Sequence, residues 1–166
     1  MAANALPTMG LVRLKGAVAT VALAVLAGCG SDDAPATPSA CLEPASGYLA
    51  ALRAAPAEVR LEGGTPISDC LVEGQSGGQL AQVGQAMVGA ATELNAAVRS
   101  GNDDAPLQLG YLVGAVQEAA STTSGIHEDL TLRLDAAANF TPNGKPFPAS
   151  VERTLNRGYA AGQQYG

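Results

Sequence analysis

From residue 76 onward, apolar positions recur at alternating steps of three and four. Leu80, Val83, Met87, Ala90, Leu94 and Ala97 share one helical stripe, while Gln79, Gln82, Gln85, Glu93 and Arg99 lie elsewhere on the wheel. The spacing predicts an amphipathic helix over 80–99. Ser76, with Gln79 three residues on, has capping-box spacing at its start, and Gly101 in Ser100-Gly101-Asn102 can take the left-handed turn that ends it. A second helix is predicted from Asp104, with Pro106 in its first turn, to about Thr122, presenting Leu109, Leu112, Val113, Val116 and Ala119 or Ala120. A third starts at Ser124 or Gly125 and uses Ile126, Leu130, Leu134 and Ala137 or Ala138. Glu128 and Asp129 sit favourably near its positive end. The run Leu130, Leu132, Leu134 also alternates as a strand would. Three prolines and Asn143-Gly144 make 141–148 a loop, and a last helix over about 149–163 presents Val151, Leu155 and Tyr159, with Ala161 or Gly162 on the same side as Leu155.

Upstream, residues 43–54 form a short helix through Leu42, Tyr48, Leu49 and Leu52. Residues 56–64 are irregular or briefly extended, and Thr65-Pro66 opens one helical turn reaching Cys70 and Leu71. Short connections between apolar-striped helices predict an all-α fold, a compact up-and-down bundle of about four main helices over residues 41–166. At about 126 residues this is one domain.

The N-terminus follows a different pattern. Arg13 and Lys15 precede an apolar stretch from Gly16 to Ala27, and Leu26-Ala27-Gly28-Cys29 closes it. The stretch is shorter than the roughly 20 apolar residues a spanning helix needs. Its basic, apolar and small-residue parts resemble the signal peptide of a bacterial lipoprotein ending in a lipobox. The alternative is an uncleaved core helix. The resemblance implies that residues 1–28 are removed after Gly28 and that Cys29 becomes the first mature residue, carrying a thioether-linked diacylglycerol and, with it, fatty acyl chains such as palmitate. Two acyl chains hold firmly where one is marginal, at roughly 0.8 kcal/mol per buried methylene. A start at Met9 would give a more usual signal of about 20 residues. The resemblance covers about 30 residues and concerns processing and attachment, not activity. It places the body outside the cytoplasm, anchored to a bacterial membrane, most simply the cell membrane.

Residues 29–40 then read as the lipidated cysteine and a disordered tether, Gly-Ser-Asp-Asp-Ala-Pro-Ala-Thr-Pro-Ser-Ala after Cys29. With Cys29 lipidated, Cys41 and Cys70 remain as an even pair on an oxidising side of the membrane. A disulfide between them is expected, pinning the N-terminal part of the bundle; two buried thiols are the other possibility. Two of the 9 basic residues leave with the signal, so the remainder carries about −8 against its 15 acidic residues. That charge argues against nucleic acid or anionic lipid as a charge-driven partner. The absence of Trp, with only 4 Tyr and 2 Phe, supplies few stacking surfaces.

Candidate chemistry is sparse. Gly74-Gln75-Ser76-Gly77-Gly78 matches the Gly-x-Ser-x-Gly pattern of a hydrolase nucleophile elbow, and His127 and Asp129 would complete a nominal triad. That pattern needs a strand before it, and the sequence here makes Ser76 a helix cap instead. The single histidine, His127, adjoins Glu128 and Asp129, but consecutive helical positions point about 100° apart and cannot converge on one ion, so it reads as part of a polar first turn. No metal and no cofactor is expected, and no enzymatic activity. Gly110-Tyr111-Leu112-Val113-Gly114 and Gly158-Tyr159-Ala160-Ala161-Gly162 share a Gly-Tyr-x-x-Gly pattern. Glycines four apart leave a shallow helix groove that admits another backbone, either within the bundle or from a partner helix. The expected role is a non-enzymatic interaction or envelope accessory protein with a possible envelope protein partner. The alternative is a small-molecule binder with a pocket between helices, furnished by Tyr111, Tyr159 and His127.

Overall fold

The computed structural model describes residues 36–166. Gly28 and Cys29 lie outside the described residues, as does the whole signal-like segment. Helices form where the apolar stripes run: α1 (Ala45–Leu52), α2 (Gly77–Arg99), α3 (Ala105–Ser121), α4 (Glu128–Ala138) and α5 (Ala149–Tyr165). Among the described residues the only extended pairing is an isolated bridge between Arg60 and Pro66. The fold is an all-α bundle of four main helices with a short fifth.

Helix α2 begins and ends on the residues that its local chemistry selects. Ser76 is extended, at φ −63° and ψ 146°, and its Oγ accepts the Gln79 amide at 3.3 Å. At the other end Gly101 has φ +88°, a conformation that a side chain would strain. The buried face carries Val83, Met87, Ala90 and Leu94, widened by Gly84, Ala86, Ala91, Asn95 and Val98.

Helix α3 departs from the single predicted stripe. Besides Leu109, Leu112, Val113, Val116 and Ala119 it buries Gly110, Tyr111, Gly114 and Ala115, so it is covered on nearly every side. Burying each of its large apolar side chains contributes roughly 1.5–3 kcal/mol relative to exposure. Helices α2 and α4 lie on one side of the bundle and run parallel: Gly84 approaches Leu130, and the Asn95 amide donates to the Ala138 carbonyl at 2.6 Å. Helix α5 packs along α3 instead of along α4, its chain neighbour. The connection over 139–148 makes that transfer possible, and Arg99 fastens it. Its Nε donates to the Phe140 carbonyl at 3.0 Å and Nη1 to the Lys145 carbonyl at 3.3 Å, with the guanidinium 4.4 Å from the Phe147 ring centroid.

In the N-terminal part Cys41 and Cys70 form a disulfide with Cα atoms 5.3 Å apart, and the Tyr48 hydroxyl beside it donates to the Cys41 carbonyl at 2.8 Å. Burial raises the Tyr48 phenol above its ordinary range, which keeps it a donor.

Three boundaries differ from the sequence reading. Helix α1 starts at Ala45, not Glu43, because Glu43 and Pro44 are extended, with ψ 152° and 169°. Helix α4 starts at Glu128, not at Ser124 or Gly125: those two residues have φ +52° and +83°, a left-handed turn that resets the helical phase. Ile126 is therefore exposed and His127 wholly buried, so the reading of His127 as part of a polar first turn is wrong. In α4 Leu130 and Leu134 face the core while Leu132 is 63% exposed, as helical geometry and not strand alternation requires. Finally, the stretch read as tether up to Ala40 is folded from Thr37, which is buried and hydrogen-bonded, through a 3-10 turn over Ser39–Leu42.

Candidate functional site

The two Gly-Tyr-x-x-Gly segments meet each other. A Cβ placed on Gly110 would land on the Leu155 carbonyl oxygen, on Gly114 on the Tyr159 oxygen, on Gly158 on the Leu107 oxygen, and on Gly162 on the Tyr111 oxygen. The pairing rises together along both helices, so α3 and α5 run parallel with backbones in direct contact. Each missing side chain makes room for a carbonyl of the facing helix. These four glycines are thus occupied within the chain, and a partner helix could reach them only by displacing α5.

The residues proposed to line a ligand pocket do not converge. Tyr111 is buried, and its hydroxyl accepts the Val59 amide at 3.0 Å, tying α3 to the irregular segment after α1. Desolvation by that burial raises its phenol above the ordinary value, the Val59 bond opposing in part. Tyr159 donates to Gln117 Oε1 at 2.6 Å, and Gln117 in turn donates to both oxygens of Asp135 at 3.0 and 3.2 Å, a chain linking α5, α3 and α4. His127 bonds elsewhere. None of the three lines any of the five grooves described on the surface.

His127 instead anchors a buried polar cluster. Its Nε2 lies 3.1 Å from Gln75 Oε1 and its Nδ1 lies 2.8 Å from Thr123 Oγ1. The Gln75 amide nitrogen donates to Thr37 Oγ1 at 2.7 Å and to the Cys70 carbonyl at 3.1 Å. With both amide hydrogens spent, Gln75 can only accept from His127, which fixes a proton on Nε2; Nδ1 faces the Thr123 hydroxyl, which donates to the Ala120 carbonyl at 2.9 Å. Thr37, Gln75, Thr123 and His127 are all buried, and every buried side-chain polar atom among the described residues has a partner. Desolvation holds the imidazole below its ordinary value. This cluster was not legible in the sequence, because its members come from three separated segments, Thr37, Gln75 and the Thr123–His127 turn; the one available signal was a lone histidine following a Thr-Thr-Ser-Gly turn.

The nominal triad is not assembled. Ser76 Oγ caps α2, both His127 nitrogens are engaged with Gln75 and Thr123, and Asp129 is exposed beside Arg133. Among the described residues no group of three metal-ligating side chains comes together, and no helix is long and apolar enough to cross a membrane. Next to the cluster lies an open groove of about 610 Å³, where Ala36 and Pro38 meet the Ser68–Glu73 segment and the end of α3; Asp69, Glu73 and Glu118 are its charged residues. Compared with protein-family models, curated proteins and solved structures, the chain finds no match in any of the three.

Proposed function

We propose that this chain is a lipoprotein, anchored through Cys29 to the outside of a bacterial membrane, and that its helical body serves a non-enzymatic interaction or envelope accessory role. The observation that carries the reading is Leu26-Ala27-Gly28-Cys29 closing an apolar run after Arg13 and Lys15. The disulfide supports it. Cys41 and Cys70 are committed to each other, which leaves Cys29 as the third cysteine, and a disulfide suits an oxidising compartment. The start of the folded body adds a geometric consequence. Among the described residues Thr37 is the first that is buried, and the chain from Cys29 to Thr37 spans less than about 30 Å even when fully extended, which keeps the body close to its anchor.

The accessory role is supported by where the polar side chains are spent. The ones that a reactive site would use, Ser76, His127 and the tyrosines Tyr111 and Tyr159, are all engaged in holding helix ends and segments together.

The anchor is tested by feeding cells an alkyne-tagged fatty acid, followed by detergent phase partition of the wild-type chain and of Cys29→Ala. Label and detergent partition in the wild type, both lost in the variant, are expected. An unlabelled wild-type chain that stays in the aqueous phase overturns the reading. The accessory role is tested by crosslinking in cells with capture through a C-terminal tag. A reproducible envelope protein partner is expected; self-crosslinks alone would shift the reading to ligand binding.

A further inference from the structure

The stretch of residues 36–40 forms a strap that enters the fold just ahead of the disulfide. Downstream it is fixed covalently at Cys41, whose carbonyl also accepts from Tyr48. Upstream of that point its polar attachment is the Thr37 hydroxyl, which accepts from Gln75 at 2.7 Å and lies 3.4 Å from Gln79 Oε1. Gln75 is held in turn by the Cys70 carbonyl and by His127. The last member of the line, Thr123, sits at the end of α3 immediately before the left-handed Ser124-Gly125 turn.

We infer that the line Thr37–Gln75–His127–Thr123 is a proton-sensitive latch on this strap, and that protonation of His127 frees residues 36–40 while the disulfide holds the rest of the body in place. In the neutral state the ring donates from Nε2 to Gln75, and its unprotonated Nδ1 faces the Thr123 hydroxyl oxygen at 2.8 Å. A second proton, taken from solvent, goes to Nδ1. The Thr123 hydroxyl, which donates to the Ala120 carbonyl 2.9 Å away, then accepts from the ring. The hydrogen bonds survive that change, but the charge is left in a dry site.

The surroundings offer no direct ion pair. The strap carries no charged residue, and neither does α2 from Gly77 to Thr92. On the other neighbouring elements Asp69, Glu73, Glu118, Glu128 and Asp129 are all exposed and none bonds the ring; Glu73 accepts from Ser124 at 3.4 Å. The cation is stabilised by admitting water, and the segment that yields is the most weakly held. Helices α3 and α4 are fixed by Leu109, Leu112, Val116, Leu130 and Leu134, whereas the strap is fixed by Thr37 and by the packing of Ala40. Lifting it hydrates Gln75 and opens a path to the ring, facing the acidic groove that Ala36 and Pro38 help to line.

The sign follows from linkage. The closed form holds His127 below its ordinary value of about 6.5, and the open form restores it, so the open form takes up the proton first and gains as pH falls through about 6.5. The inference does not need the lipid anchor; an extracytoplasmic position adds only that the body meets the pH of the surroundings.

The test is hydrogen exchange by mass spectrometry on the full-length chain as cells process it, in mild detergent, at pH 7.5 and pH 5.0, with rates corrected for intrinsic pH dependence. Opening of a peptide covering 36–42 is expected to rise up to about 30-fold at pH 5.0, while peptides from α3 stay protected. His127→Gln should abolish the rise, and because the chain has one histidine, a single imidazole NMR signal reports its titration. Equal protection at the two pH values, an equal rise in His127→Gln, or loss of α3 protection together with the strap would each overturn the latch. Should His127→Gln fail to fold, Thr37→Val serves: its strap is expected to be open at pH 7.5 already and insensitive to acid, and a strap that still responds to acid overturns the inference.

Discussion

Adding one methyl group at Gly162 gives the sharpest test of how this bundle is held together. The new Cβ would overlap the Tyr111 carbonyl oxygen and lie 2.8 Å from the Ala115 amide nitrogen and 2.9 Å from the Tyr111 carbonyl carbon. These are backbone atoms of a central helix, so no rotamer change relieves the overlap and α5 must move away by about 1 Å to reach ordinary van der Waals distance. That movement loosens the other three glycine contacts, which share the same two helices. Overpacking of this kind costs about 1–3 kcal/mol. Replacing glycine by alanine inside a helix returns up to about 1 kcal/mol of propensity. Packing should win, leaving Gly162→Ala destabilised by about 1–2 kcal/mol. Gly78→Ala is the control: it lies in a helix with nothing within 4 Å of the added Cβ, and it should be neutral or slightly stabilising. The measurement is urea unfolding followed by circular dichroism with the disulfide intact, comparing midpoints at constant slope. A Gly162→Ala chain as stable as the Gly78→Ala control would refute the close-packed α3–α5 interface.

Three further outcomes follow from buried groups. Tyr111→Phe leaves the Val59 amide without its acceptor in a dry site, so urea unfolding should show a loss of about 1–3 kcal/mol, with far-ultraviolet circular dichroism unchanged. Replacing Cys41 and Cys70 together by alanine opens a loop with a sequence separation of 29, and the chain-entropy model gives a loss of roughly 3–4 kcal/mol; intact mass under alkylation without reductant should meanwhile find no thiol on either residue of the wild type. Arg99→Ala removes the donors to the Phe140 and Lys145 carbonyls and the cation over Phe147, so hydrogen exchange should quicken over 139–148 while α2 stays protected; unchanged exchange there would show that the loop holds itself.

Local chemistry made much of this fold readable from the sequence. Helix α2 was legible to its ends because a serine cap and a left-handed glycine act within a few residues of the boundary they set. The helices α3 and α5 and the all-α class followed from periodicity, although α3 is buried well beyond its predicted stripe and the buried face of α5 centres on Gly158 and Gly162, with Val151, Leu155 and Tyr159 only partly covered. The disulfide followed from the number of cysteines together with the lipobox resemblance, and the echo of Gly-Tyr-x-x-Gly marked two helix surfaces able to accept a backbone. The partners of those surfaces were not encoded locally. That α5 crosses to pack on α3 depends on a connection fastened by Arg99, whose contacts lie more than 40 residues away along the chain. The left-handed Ser124-Gly125 turn displaced the start of α4 and swung His127 from an expected surface position into the interior. Thr37, read as tether, became part of the body through an amide 38 residues distant. Periodicity, caps and cysteine parity are properties of neighbouring residues and so survive in a sequence. Which polar groups meet in a dry interior is decided only when the helices pack, because each needs a partner that the local chain does not supply.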